Sequence, residues 1–243
     1  MAQRAPRIDT FSLEVGRQLG SKYEVRELLG AGWEGEVYHV VEVDTGIERT
    51  AKLFFPERNP HNAAVTFYAK KLERVRECPV VIQYHTRDTF RFHGQRITFL
   101  VSEYARGELL PVYIARQKGK RLHPFEALHL IHPLIVGLVE IHRLGEYHGD
   151  VHDENVIVRR VGLGFQVKLV DFFEWGRRTR AHIQDDICSA IRVFYNTLGG
   201  AKHYRNLPPE IKGICCGLRR SLIARKFPTA GHLLRHIETL PWR

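Results

Sequence analysis

Residues 147–175 constrain this chain most, because two apolar runs each place a polar side chain at one end. The loop before the first run carries Asp150 and, five positions later, Asn155. The second run, Val167 to Val170, leads directly into Asp171. Carboxylate and carboxamide oxygens are hard ligands, and Mg²⁺ usually shares such ligands with substrate phosphates. The pattern therefore predicts magnesium at Asn155 and Asp171, with Asp150 receiving a proton from an acceptor hydroxyl.

This stretch resembles the catalytic loop and the metal-binding motif of the protein kinase superfamily, H-R-D-x-x-x-x-N and D-F-G. The first reads His-Gly-Asp150-(four residues)-Asn155 here, and the second reads Asp171-Phe-Phe. Gly149 replaces the arginine of the family, and Phe173 replaces the last glycine. The resemblance implies ATP and Mg²⁺ as cofactors.

Two other interpretations of the loop remain open. One is a polar surface loop without chemistry. The other is a different metal site, because the loop is dense in the ligand types His148, Asp150, His152 and Asp153. That second interpretation leaves Asn155 and Asp171 without a role, which favours phosphate chemistry.

Composition narrows the class of protein. The chain has 243 residues, 44% of them hydrophobic, which suits one substantial core or two small lobes. We expect no membrane span and no signal peptide, and four cysteines without C-x-x-C spacing favour a reducing cytoplasm. The net charge of +10 could serve nucleic acid, an anionic membrane or an acidic substrate, or be dispersed over the surface. No nucleic-acid motif accompanies it.

A glycine-rich segment lies near the start of the chain, at Gly30, Gly32 and Gly35. Dinucleotide-binding folds have a helix after such glycines, whereas the segment Val37–Val43 favours a strand. The kinase arrangement is a hairpin whose backbone N–H groups cover the ATP phosphates. Lys52, on the next predicted strand, resembles the kinase lysine that pairs with the α and β phosphates.

The resemblance also implies a partner for Lys52 and a pocket for adenine. In the family, a helix glutamate pairs with the lysine, and the predicted helix 61–77 offers Glu73 first and Glu77 second. The backbone of Glu103 and Ala105 would hydrogen-bond the adenine. Side chains above and below the ring would be Leu29, Val37, Thr50 and Ile157.

The second half of the chain both follows and departs from the family. Apolar residues from Leu122 to Leu144 form a helical stripe that Pro133 should bend. Asp186 resembles the opening of a later helix, but no A-P-E precedes it. Phe227 also replaces the arginine that would pair with that A-P-E glutamate. A short segment between Asp171 and Asp186 predicts activity that does not require phosphorylation of Thr179.

These observations predict an α+β bilobal kinase-like fold, with a β-rich amino-terminal lobe and a helical carboxy-terminal lobe. The expected divisions are a tail at 1–21 and lobes at 22–104 and 105–243. The expected activity is transfer of the γ-phosphoryl of Mg-ATP to a protein Ser/Thr hydroxyl. Alternatives are a small-molecule, sugar or lipid kinase and an ATP-binding pseudokinase that regulates a partner. An anionic acceptor would be favoured by the cluster Arg177, Arg178 and Arg180.

Overall fold

The computed structural model describes residues 7–173 and 176–241, and the chain divides into two compact units. The amino-terminal unit comprises Met1–Arg76 and Ile82–Ala105, and the carboxy-terminal unit comprises Glu77–Val81 and Arg106–Arg243. The short crossover at residues 77–81 was not foreseen in the sequence. Residues 1–6 of the predicted tail, and residues 242–243, lie outside the described part of the chain.

An antiparallel sheet of six strands, in the order β1-β2-β3-β4-β6-β5, dominates the amino-terminal unit. Its strands are β1 (Gln18–Leu19), β2 (Tyr23–Ala31), β3 (Gly35–Glu42), β4 (Glu48–Phe54), β5 (Tyr84–Phe92) and β6 (Gln95–Glu103). The helix of the unit, α1, spans Ala63–Arg74. It is shorter than the predicted 61–77 because the residues before it form a separate turn, Pro60–Asn62, in which two residues have positive φ.

The two faces of this sheet carry different chemistry. Cross-strand partners share a face, and residues two apart on a strand do so too. The register pairs Val37 with Lys52 and Thr50 with Ser102, so these four side chains lie on one face. The opposite face holds a core that includes Tyr38, Val40, Ala51, Leu53, Phe99 and Val101.

The described part of the predicted tail is attached to the sheet, because residues 7–13 pack on its core face and Gln18–Leu19 forms its edge strand β1. Ile8, Phe11 and Leu19 are buried there. The ring of Phe11 stacks on Phe55 at 5.3 Å between centroids and meets the edge of Phe92 at 5.3 Å. The segment reads as polar because these apolar residues are widely spaced, yet their burial is sufficient to attach it to the sheet.

A buried carboxylate also attaches this segment. Glu36 is 3% exposed and accepts hydrogen bonds from the Thr10 hydroxyl at 2.9 Å, the Phe11 N–H at 2.8 Å and the Ser12 N–H at 3.1 Å. The Tyr38 hydroxyl also donates to it. Burial and this hydrogen bond raise the pKa of Tyr38. Buried carboxylates are tolerated when they are fully hydrogen-bonded, and these donors meet that requirement.

The carboxy-terminal unit is mainly helical. Its small sheet has the order β7-β8-β9, with strands β7 (Glu108–Leu109), β8 (Val156–Val161) and β9 (Gly164–Leu169). The helices are α2 (Leu110–Ala115), α3 (Pro124–Arg143), α4 (Arg180–Thr197), α5 (Ala201–Tyr204), α6 (Pro209–Cys215), α7 (Arg220–Lys226) and α8 (Ala230–Glu238).

Helix α3 forms the core of this unit. Its predicted stripe is confirmed, because Ala127, Ile131, Leu134, Leu138 and Ile141 are all buried. The helix continues through Pro133. By length and composition alone it could also cross a membrane, and it is the one such helix among the described residues. The same properties are typical of a core helix, as its buried residues indicate.

We predict that Glu36→Gln lowers the free energy of unfolding by about 2–4 kcal/mol, because the new NH₂ group faces donors and leaves buried N–H groups unpaired. Urea denaturation measures the change. Glu57→Gln is the matched control, since Glu57 pairs with Arg7 on the exposed surface, and its effect should stay within about 0.5 kcal/mol. Equal effects from both substitutions would contradict this role of Glu36.

Candidate functional site

The loop that carries the predicted catalytic residues is held by Asp186. This carboxylate is 1% exposed and accepts from the backbone N–H groups of His148, at 2.8 Å, and Gly149, at 2.9 Å. The His142 ring nitrogen Nε2 lies 2.9 Å from Asp186 Oδ2. Sequence reasoning noted Asp186 only as a family-like helix residue. No local signal distinguishes it from the adjacent Asp185, because the partners of the Asp186 carboxylate are distant in the chain.

Asn155 links the loop to the following strands. Its Nδ2 donates to the backbone oxygen of Asp150 at 2.9 Å and to Asp150 Oδ2 at 3.2 Å. These two acceptors determine the orientation of the amide, since only its nitrogen can donate. The Oδ1 atom of the buried Asn155 is therefore the acceptor that remains for another ligand.

Asp150 itself stays accessible. Its side chain is 49% exposed, and Oδ2 lies 3.4 Å from His152 Nε2. A carboxylate that is fixed on one side by Asn155 and open to solvent on the other can orient a hydroxyl that approaches it. The predicted general base therefore has a suitable local geometry.

The register of the small sheet brings Asn155 and Asp171 to the same end of a hairpin. Val156 pairs with Leu169, and the Val170 N–H donates to the backbone oxygen of Asn155 at 3.1 Å. Asp171 has φ of 56°, a left-handed conformation that costs energy in residues other than glycine and is frequent at functional sites. A carboxylate and an amide oxygen at one sheet end fit magnesium, which prefers oxygen ligands.

The structure does not support the alternative metal site at His148, Asp150, His152 and Asp153. His148 is fully buried, and its Nε2 lies 3.0 Å from the backbone oxygen of Val170. Asp153 accepts a hydrogen bond from Asn196 at 2.8 Å. Among residues 7–173 and 176–241, no group of three or more His, Cys, Asp or Glu side chains could hold a metal.

The backbone conformation and close packing at position 149 explain why glycine replaces the arginine of the family there. Its φ is +85°, and a Cβ atom built there would lie 2.5 Å from the backbone oxygen of Phe173. The Phe173 N–H donates to the backbone oxygen of His148 at 3.0 Å, so the two segments are tied closely together. The close approach requires glycine.

Helix α4 begins six residues before Asp186, at Arg180. The Thr179 hydroxyl accepts from the His182 N–H at 3.3 Å, and His182 Nδ1 accepts from the Thr179 N–H at 3.3 Å. This capping box starts the helix early, so the segment after Asp171 is shorter than the sequence suggested. Arg177, Arg178 and Arg180 are exposed, and their contact with an acceptor stays a prediction.

The three glycines of the glycine-rich segment, Gly30, Gly32 and Gly35, differ in why glycine is present. A Cβ at Gly35 would lie 1.8 Å from the backbone oxygen of Leu53, so packing against β4 requires this glycine. A Cβ at Gly30 or Gly32 would meet nothing within 4 Å. Packing against the described part of the chain therefore does not explain these two glycines, and the space beside them allows close approach of a ligand.

Lys52 does not pair with Glu73. Its Nζ lies 3.0 Å from Glu34 Oε2 and 3.1 Å from the Tyr68 hydroxyl. Glu73 is exposed and accepts from Arg76 at 2.8 Å. The cause is helical geometry, because five residues from Tyr68 to Glu73 turn the side chain by about 140° around α1. The second candidate, Glu77, is exposed and follows the end of α1.

The predicted adenine contacts are partly constrained. The Glu103 N–H donates to the backbone oxygen of Gln83 at 2.8 Å, so a contact with adenine would use its carbonyl oxygen. Ala105 is buried, and Leu29 is 39% exposed. Ile157 is half-buried on β8 of the carboxy-terminal unit. Their contact with a nucleotide stays a prediction.

Comparison with known proteins decides the family. The sequence matches the protein kinase domain over residues 23–210. The chain belongs to the protein kinase family. This kinase is similar in sequence to a probable serine/threonine-protein kinase of Streptomyces coelicolor, with 29% identity over 66% of this chain and 23% of the relative. It is 22% identical to the serine/threonine-protein kinase PrkC of Bacillus subtilis, over 81% of this chain and 28% of PrkC. The kinase thus spans about a quarter of these relatives.

Solved structures agree on the fold. A single mutant of the PknI kinase domain from Mycobacterium tuberculosis matches 96% of this chain and 100% of its own, with a TM-score of 0.67 and 18% identity. A double mutant of the same domain gives a TM-score of 0.66, over 94% of this chain and 98% of its own. These structures confirm the predicted α+β kinase fold, and the match to the protein kinase domain over residues 23–210 confirms the predicted superfamily.

We predict that Gly149→Ala destabilises the kinase more than Gly145→Ala. Both glycines have φ in the left-handed region, at +85° and +84°, but a Cβ at Gly145 would meet nothing within 4 Å. The control should therefore cost about 1 kcal/mol of backbone strain, while Gly149→Ala should cost about 2–4 kcal/mol. Thermal unfolding of both variants measures this difference. Equal losses would show that contact with Phe173 does not restrict residue 149.

Proposed function

We propose that this kinase transfers the γ-phosphoryl group of Mg-ATP to a serine or threonine hydroxyl of a protein. The observation that carries the proposal is the double hydrogen bond from Asn155 to Asp150, which orients a candidate metal ligand and a candidate base together. The names of the bacterial relatives, both serine/threonine-protein kinases, support a protein acceptor.

Each residue has a specific role in this proposal. Asp150 orients the acceptor hydroxyl and receives its proton, for which its exposed carboxylate is suited. Asn155 and Asp171 would hold magnesium, which neutralises phosphate charge when it is bound. Lys52 would contribute a positive charge to the phosphates. Gly30 and Gly32 would let backbone N–H groups approach them, because no atom of the described residues lies within 4 Å of a Cβ built at either position.

A small-molecule acceptor is the second candidate. Only residues 172–179 separate Asp171 from α4, which leaves little chain to support an extended peptide. The pseudokinase alternative rests on the pairing of Lys52 with Glu34 at 3.0 Å. A reducing cytoplasm is the proposed location, and the four free cysteines support it.

We predict that Asp150→Asn lowers phosphoryl transfer by about 10²–10⁴-fold, because the amide cannot accept the proton. The assay uses γ-³²P-ATP, magnesium and dephosphorylated casein, with phosphoamino acid analysis of the product. Chelation of magnesium should also abolish transfer.

The matched control is Glu154→Gln, an exposed acid of the same loop, which should retain wild-type transfer. Transfer that survives Asp150→Asn would contradict the role of Asp150. Label that enters small hydroxyl compounds but no protein would favour the second candidate, and absence of transfer to either class would favour the pseudokinase.

A further inference from the structure

Lys52 belongs to a closed triangle of polar groups in the amino-terminal unit. Its ammonium contacts Glu34 Oε2 at 3.0 Å and the Tyr68 hydroxyl at 3.1 Å. The Tyr68 hydroxyl donates to the same Glu34 oxygen at 2.9 Å. The side chains of Lys52 and Glu34 are only 13% and 19% exposed. Reduced contact with water strengthens this ion pair relative to one on the surface.

The acidic corner of this triangle comes from the glycine-rich hairpin itself. Glu34 lies between Gly32 and Gly35, whose N–H to O hydrogen bond of 2.9 Å closes the turn. The Glu34 backbone oxygen accepts from the Phe55 N–H at 2.9 Å. The Arg58 guanidinium carbon lies over the neighbouring Trp33 ring, 5.1 Å from the ring centroid. These contacts hold the hairpin tip against its own unit.

Helix α1 supplies a phenol to Lys52, where the family supplies a carboxylate. The Tyr68 ring also lies 4.2 Å from the ammonium, so the residue contacts Lys52 through its hydroxyl and its aromatic face. A phenol adds no charge at neutral pH. Glu34 is a negatively charged partner of Lys52, and it lies in the hairpin that would cover the phosphates.

We propose that Glu34 is a nucleotide-displaced partner of Lys52: its carboxylate occupies the position of a phosphate oxygen and must leave when ATP binds. The inference rests on the proposed nucleotide site at Lys52. A carboxylate and a polyphosphate would otherwise share one ammonium and repel each other. Tyr68 stays with Lys52 throughout and is a positioning residue.

Displacement of Glu34 by phosphate would affect the binding of ATP and ADP but not of adenosine, whereas a change in packing would affect all three. Replacing Glu34 by glutamine removes the competing charge but keeps the size of the side chain. We expect Glu34→Gln to bind ATP and ADP about tenfold more tightly than wild type, with unchanged affinity for adenosine. Tyr68→Phe should weaken ATP binding about threefold, because the Tyr68 hydroxyl no longer positions the Lys52 ammonium, again without a change for adenosine.

Isothermal titration of wild type, Glu34→Gln and Tyr68→Phe with ATP, ADP and adenosine tests the inference. Glu73→Gln is the matched control, because it removes the same charge from an exposed acid of α1. It should bind all three ligands like wild type. Melting temperatures of the free proteins verify that each variant is folded.

The outcomes separate this inference from the proposed function. ATP affinity of Glu34→Gln equal to or below that of wild type, with wild-type binding intact, would overturn the inference alone. A tenfold gain for adenosine as well would also overturn it, since phosphate charge would not be the cause. Absence of ATP binding by wild type and Glu34→Gln alike would overturn both.

Discussion

The candidate catalytic loop depends on the hydrogen bonds that its backbone donates to the carboxylate of Asp186. A charge with only 1% of its residue surface exposed is stable only with several hydrogen-bond donors, and here two backbone N–H groups and His142 fill that role. Because the two backbone donors belong to residues 148 and 149, the carboxylate determines the backbone immediately before Asp150. The orientation of Asp150 and its bond to Asn155 follow from that constraint.

At two positions, 149 and 227, this chain has an uncharged residue where the family pattern has an arginine. Phe227 is buried in place of an arginine. Nearby, the Gln184 amide donates to the backbone oxygens of Phe227 at 3.2 Å and Pro228 at 2.8 Å. Gly149 likewise replaces an arginine and permits close approach to Phe173. Without these two arginines, the segment between Asp171 and Asp186 does not need to provide negative partners for them. This agrees with the prediction that activity does not require phosphorylation of Thr179.

Local spacing made much of this fold predictable. The strands that follow the glycine-rich segment, the stripe of α3 and the Asp150–Asn155 spacing depend on residues close in sequence, so periodicity and motif detect them. The partner of Lys52 was not predictable in this way, because it depends on the tertiary position of Tyr68 and on the hairpin tip. The role of Asp186 and the packing of residues 7–19 also depend on residues distant in the chain. Family resemblance gave the wrong partner, Glu73, because α1 presents a different side to Lys52.

The most direct test of this account is hydrogen–deuterium exchange at the amides of residues 148 and 149, in wild type, Asp186→Asn and Asp185→Asn. Asp185 is the matched control, since it is adjacent and pairs with Arg220 at the surface. The account predicts slow exchange in wild type and in Asp185→Asn, and fast exchange at these two amides in Asp186→Asn while helix α3 stays protected. Fast exchange in wild type, or protection unaffected by Asp186→Asn, would contradict it.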